Sequence, residues 1–228
     1  MKYVIDAPEG ITPSLSDPGF REAWIEEARS LAEEFTPEYL SLGNEVNDYF
    51  LLHPSDLEPY LSLVSEAYSA VKLVSPKTKV LVVLSYNHLL QENQWDLLTL
   101  LENRVDLIGL TTYPYQVFAS PEDLPQDYYL RLSRYTRKPL AFTEIGWSSS
   151  GTSGENEQAR FLLRFLELTK GMELEMVNWL FLHDTTLTGI PAYIAHPDTG
   201  TVALKRVDGS EKEVYRIWKA LKELKGSG

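Results

Sequence analysis

Apolar stretches with the character of buried strands alternate with helix-like segments along the whole of this 228-residue sequence. Three of them, 79–87 (KVLVVLSYN), 105–115 (VDLIGLTTYPY) and 138–147 (KPLAFTEIGW), carry apolar residues on both faces of the predicted strand. Strands of this kind are typical of a parallel sheet that is covered by helices on both sides. The pattern therefore restricts the fold to a β/α barrel or an open, doubly wound sheet.

The remaining segments complete the alternation. Further strands are predicted at 2–6, within 39–50 and at 174–184. Helices are predicted to begin at Asp17-Pro18 and at a capping box of Ser55 and Glu58, and further helices are predicted around 95–101, 128–135, 158–170 and 211–225. A hairpin is predicted at 196–210. No linker or repeat interrupts this order. We therefore expect a single domain over 1–225, and we treat the closing Gly-Ser-Gly at 226–228 as an appended tail.

A barrel fits the sequence better than an open sheet. An open sheet usually carries a glycine-rich phosphate-binding loop after an early strand, and neither 7–14 (APEGITPS) nor 148–154 (SSSGTSG) matches that pattern. Polar and aromatic residues gather instead at the ends of several strands: Asn44, Glu45, Tyr86, Asn87, Tyr113, Tyr115, Glu144, Trp147, Trp179 and His183. In a β/α barrel these ends surround one mouth, where active sites lie.

Composition excludes several classes of function. The formal net charge of −12 disfavours binding to nucleic acid or to an anionic membrane surface. The absence of cysteine excludes disulfides, thiolate catalysis and cysteine metal sites. The four histidines, His53, His88, His183 and His196, are scattered, so we expect neither a metal site nor a cofactor.

Nothing in the sequence predicts a membrane protein. No apolar run approaches the length of about 20 residues that spans a bilayer. The chain does not open with a basic-then-apolar leader either. We therefore expect a soluble protein, cytosolic or released from a leader, and the compartment stays open.

Glu45 and Glu144 each follow an apolar run, and this pair is the main indication of function. Two carboxyl groups that face each other can cleave a glycosidic bond, because one donates a proton to the leaving oxygen while the other attacks the anomeric carbon or activates water. Neighbouring aromatic rings suit such a site, since sugars present flat faces of C–H groups. The competing interpretation is that each glutamate is only a solvated strand end and that each aromatic ring belongs to the core.

Three motifs, 40–47 (LSLGNEVN), 106–115 (DLIGLTTYPY) and 138–147, together resemble the clan A glycoside hydrolases, which are (β/α)₈ barrels of retaining mechanism. Within that clan the sequence is most similar to the endo-β-1,4-galactanase-like branch. The resemblance implies that Glu45 is the acid/base and Glu144 the nucleophile. A retaining pair is expected about 5 Å apart, with the pKa of the acid raised.

The resemblance also implies a set of substrate contacts. Asn44 would donate a hydrogen bond to the sugar 2-hydroxyl, Tyr113 would orient Glu144, and Trp179 would form a sugar platform. The predicted substrate-binding set is Asn44, Asn87, Tyr113, Tyr115, Trp147, Trp179 and His183.

Two departures from the clan pattern affect the expected function. The clan often has a histidine two residues before the sixth-strand tyrosine, and Thr111 stands at that place. If Glu45 closes the fourth strand, the strand at 2–6 is the third, and the first two β/α units are missing together with an arginine near the nucleophile. The expected fold is therefore a truncated barrel of about six β/α units, the third to the eighth.

A truncated barrel has open parallel edges, which favour pairing with another copy. We therefore expect a homo-oligomer with its contact around 3–6 and 176–182. Two alternatives to an active enzyme stay open. The first alternative is a weakly active or inactive carbohydrate-binding scaffold. The second is a barrel fragment that awaits a complementing chain.

Overall fold

The structure, a computed structural model, describes residues 14–150, 154–186 and 197–225. In these ranges five parallel strands form one sheet: β1 (Tyr39–Ser41), β2 (Lys79–Ser85), β3 (Leu107–Thr112), β4 (Leu140–Ile145) and β5 (Leu174–Trp179). Each strand pairs with the next one along the chain. This sequential parallel order is that of a β/α barrel, so the predicted fold class is confirmed as a half-barrel. The strand predicted at 2–6 lies outside the described residues.

The helices described in these ranges are α1 (Pro18–Phe35), α2 (Val46–Leu52), α3 (Leu57–Val74), α4 (Tyr86–Gln91), α5 (Asp96–Leu101), α6 (Gly154–Leu168) and α7 (Glu213–Lys225). Asp17 caps α1 as predicted, because its side chain accepts the N–H of Phe20 at 2.9 Å. The predicted cap of the third helix is wrong: a 3₁₀ turn, Pro54–Asp56, precedes α3 and contains Ser55. Within the described ranges, every helix is too short or too polar to cross a membrane.

Two predicted elements differ from the structure. The segment 128–135 forms a short 3₁₀ turn, Leu130–Arg134, next to the buried rings of Tyr128 and Tyr129. The predicted hairpin at 196–210 is formed only in part: its described residues begin with a 3₁₀ turn, Pro197–Thr201, and an antiparallel bridge then joins Lys205 to Glu211. There, the backbone oxygen of Val202 accepts hydrogen bonds from the side chains of Gln158 and Trp179.

The main core lies between the sheet and the helices. Alternate strand residues point into it: Val80, Val82 and Leu84 of β2, Ile108 and Leu110 of β3, and Leu140 and Phe142 of β4. The concave side of the sheet carries a much smaller buried cluster of Leu81, Val83, Leu107 and Ala141. A Cβ at Gly109 would lie 2.7 Å from Cγ2 of Val83, so this glycine makes room for the concave cluster.

Side chains from the two outer strands of the described sheet meet across its concave side. The hydroxyl of Tyr39, on β1, donates to Oε1 of Glu175, on β5, at 2.9 Å. Lys79, at the start of β2, forms an ion pair with the same carboxylate. The sheet is therefore curved enough to bring its first and last strands within side-chain reach, as barrel geometry requires.

A tight turn leads from β1 into α2. A Cβ at Gly43 would lie 2.5 Å from both the Tyr60 hydroxyl oxygen and Cγ1 of Val46, so only glycine fits between them. The same Tyr60 hydroxyl donates to the backbone oxygen of Leu42 at 2.9 Å. These contacts fix the end of β1 and place Asn44 and Glu45 at the carboxyl end of the sheet.

Candidate active site

Glu45 lies at the N-cap of α2 in a left-handed backbone conformation, with φ 49° and ψ 38°. A non-glycine residue in this region carries strain that the surrounding structure must hold. Its backbone oxygen accepts the N–H of Asp48 at 3.0 Å. The buried Asn47 fixes this turn to β2, since its side chain accepts the N–H of Ser85 at 2.7 Å and donates to the Ser85 oxygen at 3.0 Å.

Two residues at the end of β3 hold the two predicted catalytic glutamates. The hydroxyl of Thr111 donates to Oε1 of Glu45 at 2.6 Å. The hydroxyl of Tyr113 donates to Oε2 of Glu144. Thr111 is also the register partner of Glu144 across the β3–β4 pair. Both carboxyl groups therefore accept hydrogen bonds from side chains of the same short segment, 111–113.

An irregularity in β4 places Glu144 on the concave side of the sheet. Leu110 pairs with Phe142, but the next residue of β3, Thr111, pairs with Glu144, so Thr143 is an extra residue in β4. Successive strand residues alternate between faces, and a bulge reverses that alternation beyond it. Phe142 faces the helices, and the bulge turns Glu144 to the opposite side, where Glu45 lies.

Burial raises the pKa of Glu45 above its ordinary value. The hydrogen bond from Thr111 opposes this change because it stabilises the ionised carboxylate. The negative charges of Asp48 and Glu144 raise the pKa further, and His88 lowers it. The net direction is that expected of a general acid.

Burial also raises the pKa of Tyr113, and the charges of Glu144 and Glu45 add to the effect. The phenol therefore keeps its proton and acts as a hydrogen-bond donor. A side chain of this kind can hold one oxygen of Glu144 while leaving the other free for chemistry.

The structure gives Asn87 a supporting position. Its buried side chain donates to the backbone oxygen of Tyr113 at 2.8 Å and to Oε1 of Gln116 at 3.3 Å. Asn87 is predicted to bind substrate, and its amide nitrogen also contacts the segment that follows β3. It holds the backbone that carries Tyr113.

The aromatic residues of the predicted set divide into two groups. Tyr113 and Tyr115 pack edge to face with centroids 6.3 Å apart, and Tyr115 in turn contacts Trp147 at 6.2 Å. Trp147 is 2% exposed and Trp179 is 7% exposed, and both pack against Phe161 in the main core. Trp179, which is predicted to form a sugar platform, has its ring among core side chains, and its indole N–H donates to a backbone oxygen at 2.6 Å.

Asn44 and His183, also predicted to bind substrate, both have exposed side chains. Asn44 directly precedes Glu45 and shares its position at the carboxyl end of the sheet. His183 lies in the segment after β5, where its backbone forms a bridge with Lys205. Asn44 therefore adjoins Glu45, whereas the described contact of His183 is with Lys205.

Sequence reasoning missed a hydrogen-bonded pair beside Glu45, formed by the buried Asp48 and the partly exposed His88. Oδ1 of Asp48, a side chain only 2% exposed, lies 2.5 Å from Nδ1 of His88 on α4. The hydrogen bond to Asp48 raises the pKa of His88. Sequence alone offers little signal for this pair, because the two residues are 40 positions apart and His88 is one of four scattered histidines.

Comparison with known proteins shows the family to which this chain belongs. Residues 28–176 match the model described as glycosyl hydrolase family 53. No curated protein matches the sequence.

Several solved structures share the fold. An exo-β-1,4-mannosidase from Opitutaceae bacterium strain TAV5 superposes with a TM-score of 0.75 at 15% identity, over 98% of this chain and 44% of its own. A GH53 catalytic domain from Ignisphaera aggregans gives 0.60 at 19% identity, over 87% and 65%. A GH5_18 protein from Streptomyces cattleya gives 0.70 at 15% identity, over 94% and 56%. This chain thus spans about half to two-thirds of the length of these structures.

The hydrogen bond from Thr111 yields a prediction about the ionisation of Glu45. Replacing Thr111 with the near-isosteric valine should raise the pKa of Glu45 further, because the ionised carboxylate loses a donor. Carbon-13 NMR titration of the glutamate side-chain carboxyl groups measures this change directly. The matched control is Thr112→Val, since Thr112 is equally buried but its hydroxyl pairs with Tyr129 at 3.1 Å. An unchanged Glu45 titration in Thr111→Val, or an equal change in the control, would contradict the assignment.

Proposed function

The chain belongs to glycosyl hydrolase family 53, and we propose that it hydrolyses a β-linked oligo- or polysaccharide with retention of configuration. In this proposal Glu45 is the acid/base and Glu144 is the nucleophile. The observation that carries it is a pair of hydrogen bonds from the end of β3: Thr111 donates to the carboxyl group of Glu45, and Tyr113 donates to that of Glu144.

The first step forms a glycosyl–enzyme ester. An oxygen of Glu144 attacks the anomeric carbon as the bond to the leaving oxygen breaks, and Glu45 gives its proton to that oxygen. The burial of Glu45 supports this role, because it raises the pKa of the carboxyl group and so favours the protonated form. Tyr113 donates to Oε2 of Glu144 and leaves Oε1 available for the attack.

The second step releases the sugar. Glu45, now a carboxylate, removes a proton from water, and the water oxygen attacks the anomeric carbon and displaces Glu144. The hydrogen bond from Thr111 supports this half of the cycle, since it stabilises the ionised form of Glu45. Two inversions at the same carbon return the original configuration.

The retaining assignment needs carboxyl groups about 5 Å apart. It is supported by the position of Glu144 opposite Thr111 and by the electrostatic effect of Glu144 on Glu45. The β-linkage is supported by the descriptions of similar structures, which include an exo-β-1,4-mannosidase and β-glucuronidases.

A second candidate function is a carbohydrate-binding scaffold without turnover. It is favoured by the exposed side chain of Asn44 beside Glu45, because an amide can bind a sugar hydroxyl without any turnover. Binding of a glycan without hydrolysis distinguishes this candidate from an active enzyme.

Substitution of the glutamates tests the enzymatic proposal on a panel of aryl β-glycosides and β-glycans. Glu144→Gln should abolish hydrolysis, because the neutral amide cannot attack the anomeric carbon. Glu45→Gln should slow substrates with poor leaving groups by about 10²–10⁴-fold, while aryl glycosides with good leaving groups still react in the first step. The matched control is Glu173→Gln, an exposed glutamate at the opposite end of the sheet. Full activity in Glu144→Gln would exclude the assignment.

We also propose that the chain self-associates around 176–182, which includes the end of β5; the other predicted contact, 3–6, lies outside the described residues. Asn178 is exposed on β5, and an edge strand of this kind offers unpaired backbone groups to another copy. Light scattering at micromolar concentration should give at least twice the 26.0 kDa of one chain. Asn178→Lys should lower that mass because charge on an edge strand opposes pairing, whereas Ser69→Lys on α3 should not. A monomer at every concentration would refute self-association.

A further inference from the structure

Asp48 and His88 form a hydrogen-bonded pair next to the turn that carries Glu45. Asp48 lies on the first turn of α2, three residues after Glu45, and its N–H donates to the Glu45 backbone oxygen at 3.0 Å. Its carboxylate, 2% exposed, meets the ring of His88, which is 36% exposed. A buried carboxylate needs a partner of this kind, because removing it from water is otherwise costly.

The pair connects two helices that follow neighbouring strands. Asp48 lies on α2, after β1, and His88 lies on α4, after β2. The residue before His88, Asn87, reaches the opposite way and holds the backbone of Tyr113. The first turn of α4 therefore contacts Asp48, which adjoins the Glu45 turn, and the backbone of Tyr113, which holds Glu144.

The charges around Glu45 have opposing effects. Asp48 and Glu144 are like charges that favour its protonated form, whereas His88, when protonated, favours the carboxylate. The groups that act on His88 are Asp48 and Glu45 from α2 and its N-cap, and Glu92 from the end of α4. Asp48 and His88 therefore act on Glu45 with opposite signs.

We propose that Asp48 and His88 are a positioning pair that holds Glu45 in its left-handed turn and sets how readily this residue releases its proton. The inference rests on the acid/base role proposed above for Glu45. The two members of the pair balance each other: the carboxylate of Asp48 keeps the proton on Glu45, and the imidazolium of His88 limits that effect.

The balance also depends on pH. Because Asp48 raises the pKa of His88, the ion pair contributes stability at low pH and loses it as the pH rises through the folded-state pKa of His88. Above that pH the negative charge of Asp48 is uncompensated, and Glu45 holds its proton more strongly.

Opposite substitutions within the pair test the proposal. Asp48→Asn keeps an acceptor for the His88 ring but removes the negative charge, so Glu45 should titrate at lower pH. His88→Gln keeps a donor for Asp48 but removes the positive charge, so Glu45 should titrate at higher pH. We expect each shift to be about half a pH unit or more. His53→Gln, at an exposed histidine that stacks on Tyr49, is the control and should shift nothing.

Two readouts separate this inference from the proposed function. Carbon-13 NMR titration of Glu45 needs no substrate, and the pH profile of kcat/KM should show its basic limb moving in the same two directions. Opposite NMR shifts in a protein without hydrolysis would support the pair and overturn the enzymatic proposal. Hydrolysis that depends on both glutamates, with no change in the Glu45 titration in either variant, would support the enzymatic proposal and overturn the inference about the pair.

If Asp48 and His88 only stabilise the fold, the two substitutions should have a different set of effects. Both substitutions would then lower the melting temperature and the activity without moving the Glu45 titration, and that result, or two shifts in the same direction, would overturn the inference. If either variant fails to fold, the wild-type protein still decides the matter. Its Glu45 carboxyl carbon should show a second inflection at the midpoint of the His88 ring titration, and the absence of that inflection would overturn the proposal.

Discussion

The pairing of Thr111 with Glu144 is the contact on which the proposed site depends. In a regular continuation from the pair of Leu110 and Phe142, Glu144 would lie opposite Thr112, on the side where the Thr112 hydroxyl meets Tyr129 in the core. A carboxylate there would be buried without a charged partner, which is costly. The extra residue in β4 moves Glu144 to the other side of the sheet, toward Glu45 and the hydroxyl of Tyr113.

The second glutamate reaches the same place by a different route. The turn after β1 is fixed by the close approach of Gly43 to Tyr60 and by the bonds between Asn47 and Ser85. These contacts support the positive φ of Glu45, which would otherwise be unfavourable. Strain is thus concentrated at a residue with a proposed chemical role, as is common at active sites.

Part of this arrangement could be predicted from the sequence. Runs that are apolar on both faces identified the parallel strands, and the carboxyl ends of those strands identified Glu45, Glu144 and Tyr113 as neighbours. The bulge could not be predicted, because the alternation along 140–145 by itself places Glu144 on the face of Phe142. Nor could the burial of Trp179, since the side of a strand that an aromatic ring occupies is decided by the helices packed against it. Asp48 and His88 were missed because their contact is formed only by the fold.

The most direct test of the proposed chemistry is to trap the glycosyl–enzyme intermediate. Activated 2-deoxy-2-fluoro β-glycosides of several sugars slow both steps through the electron-withdrawing fluorine, while a good leaving group restores the first step, so the ester accumulates. Intact-protein mass spectrometry followed by peptide mapping should find one fluorosugar attached to Glu144, and none on the Glu144→Gln variant. An adduct on another residue, or an active protein that forms no adduct and releases the inverted sugar, would contradict the retaining pair.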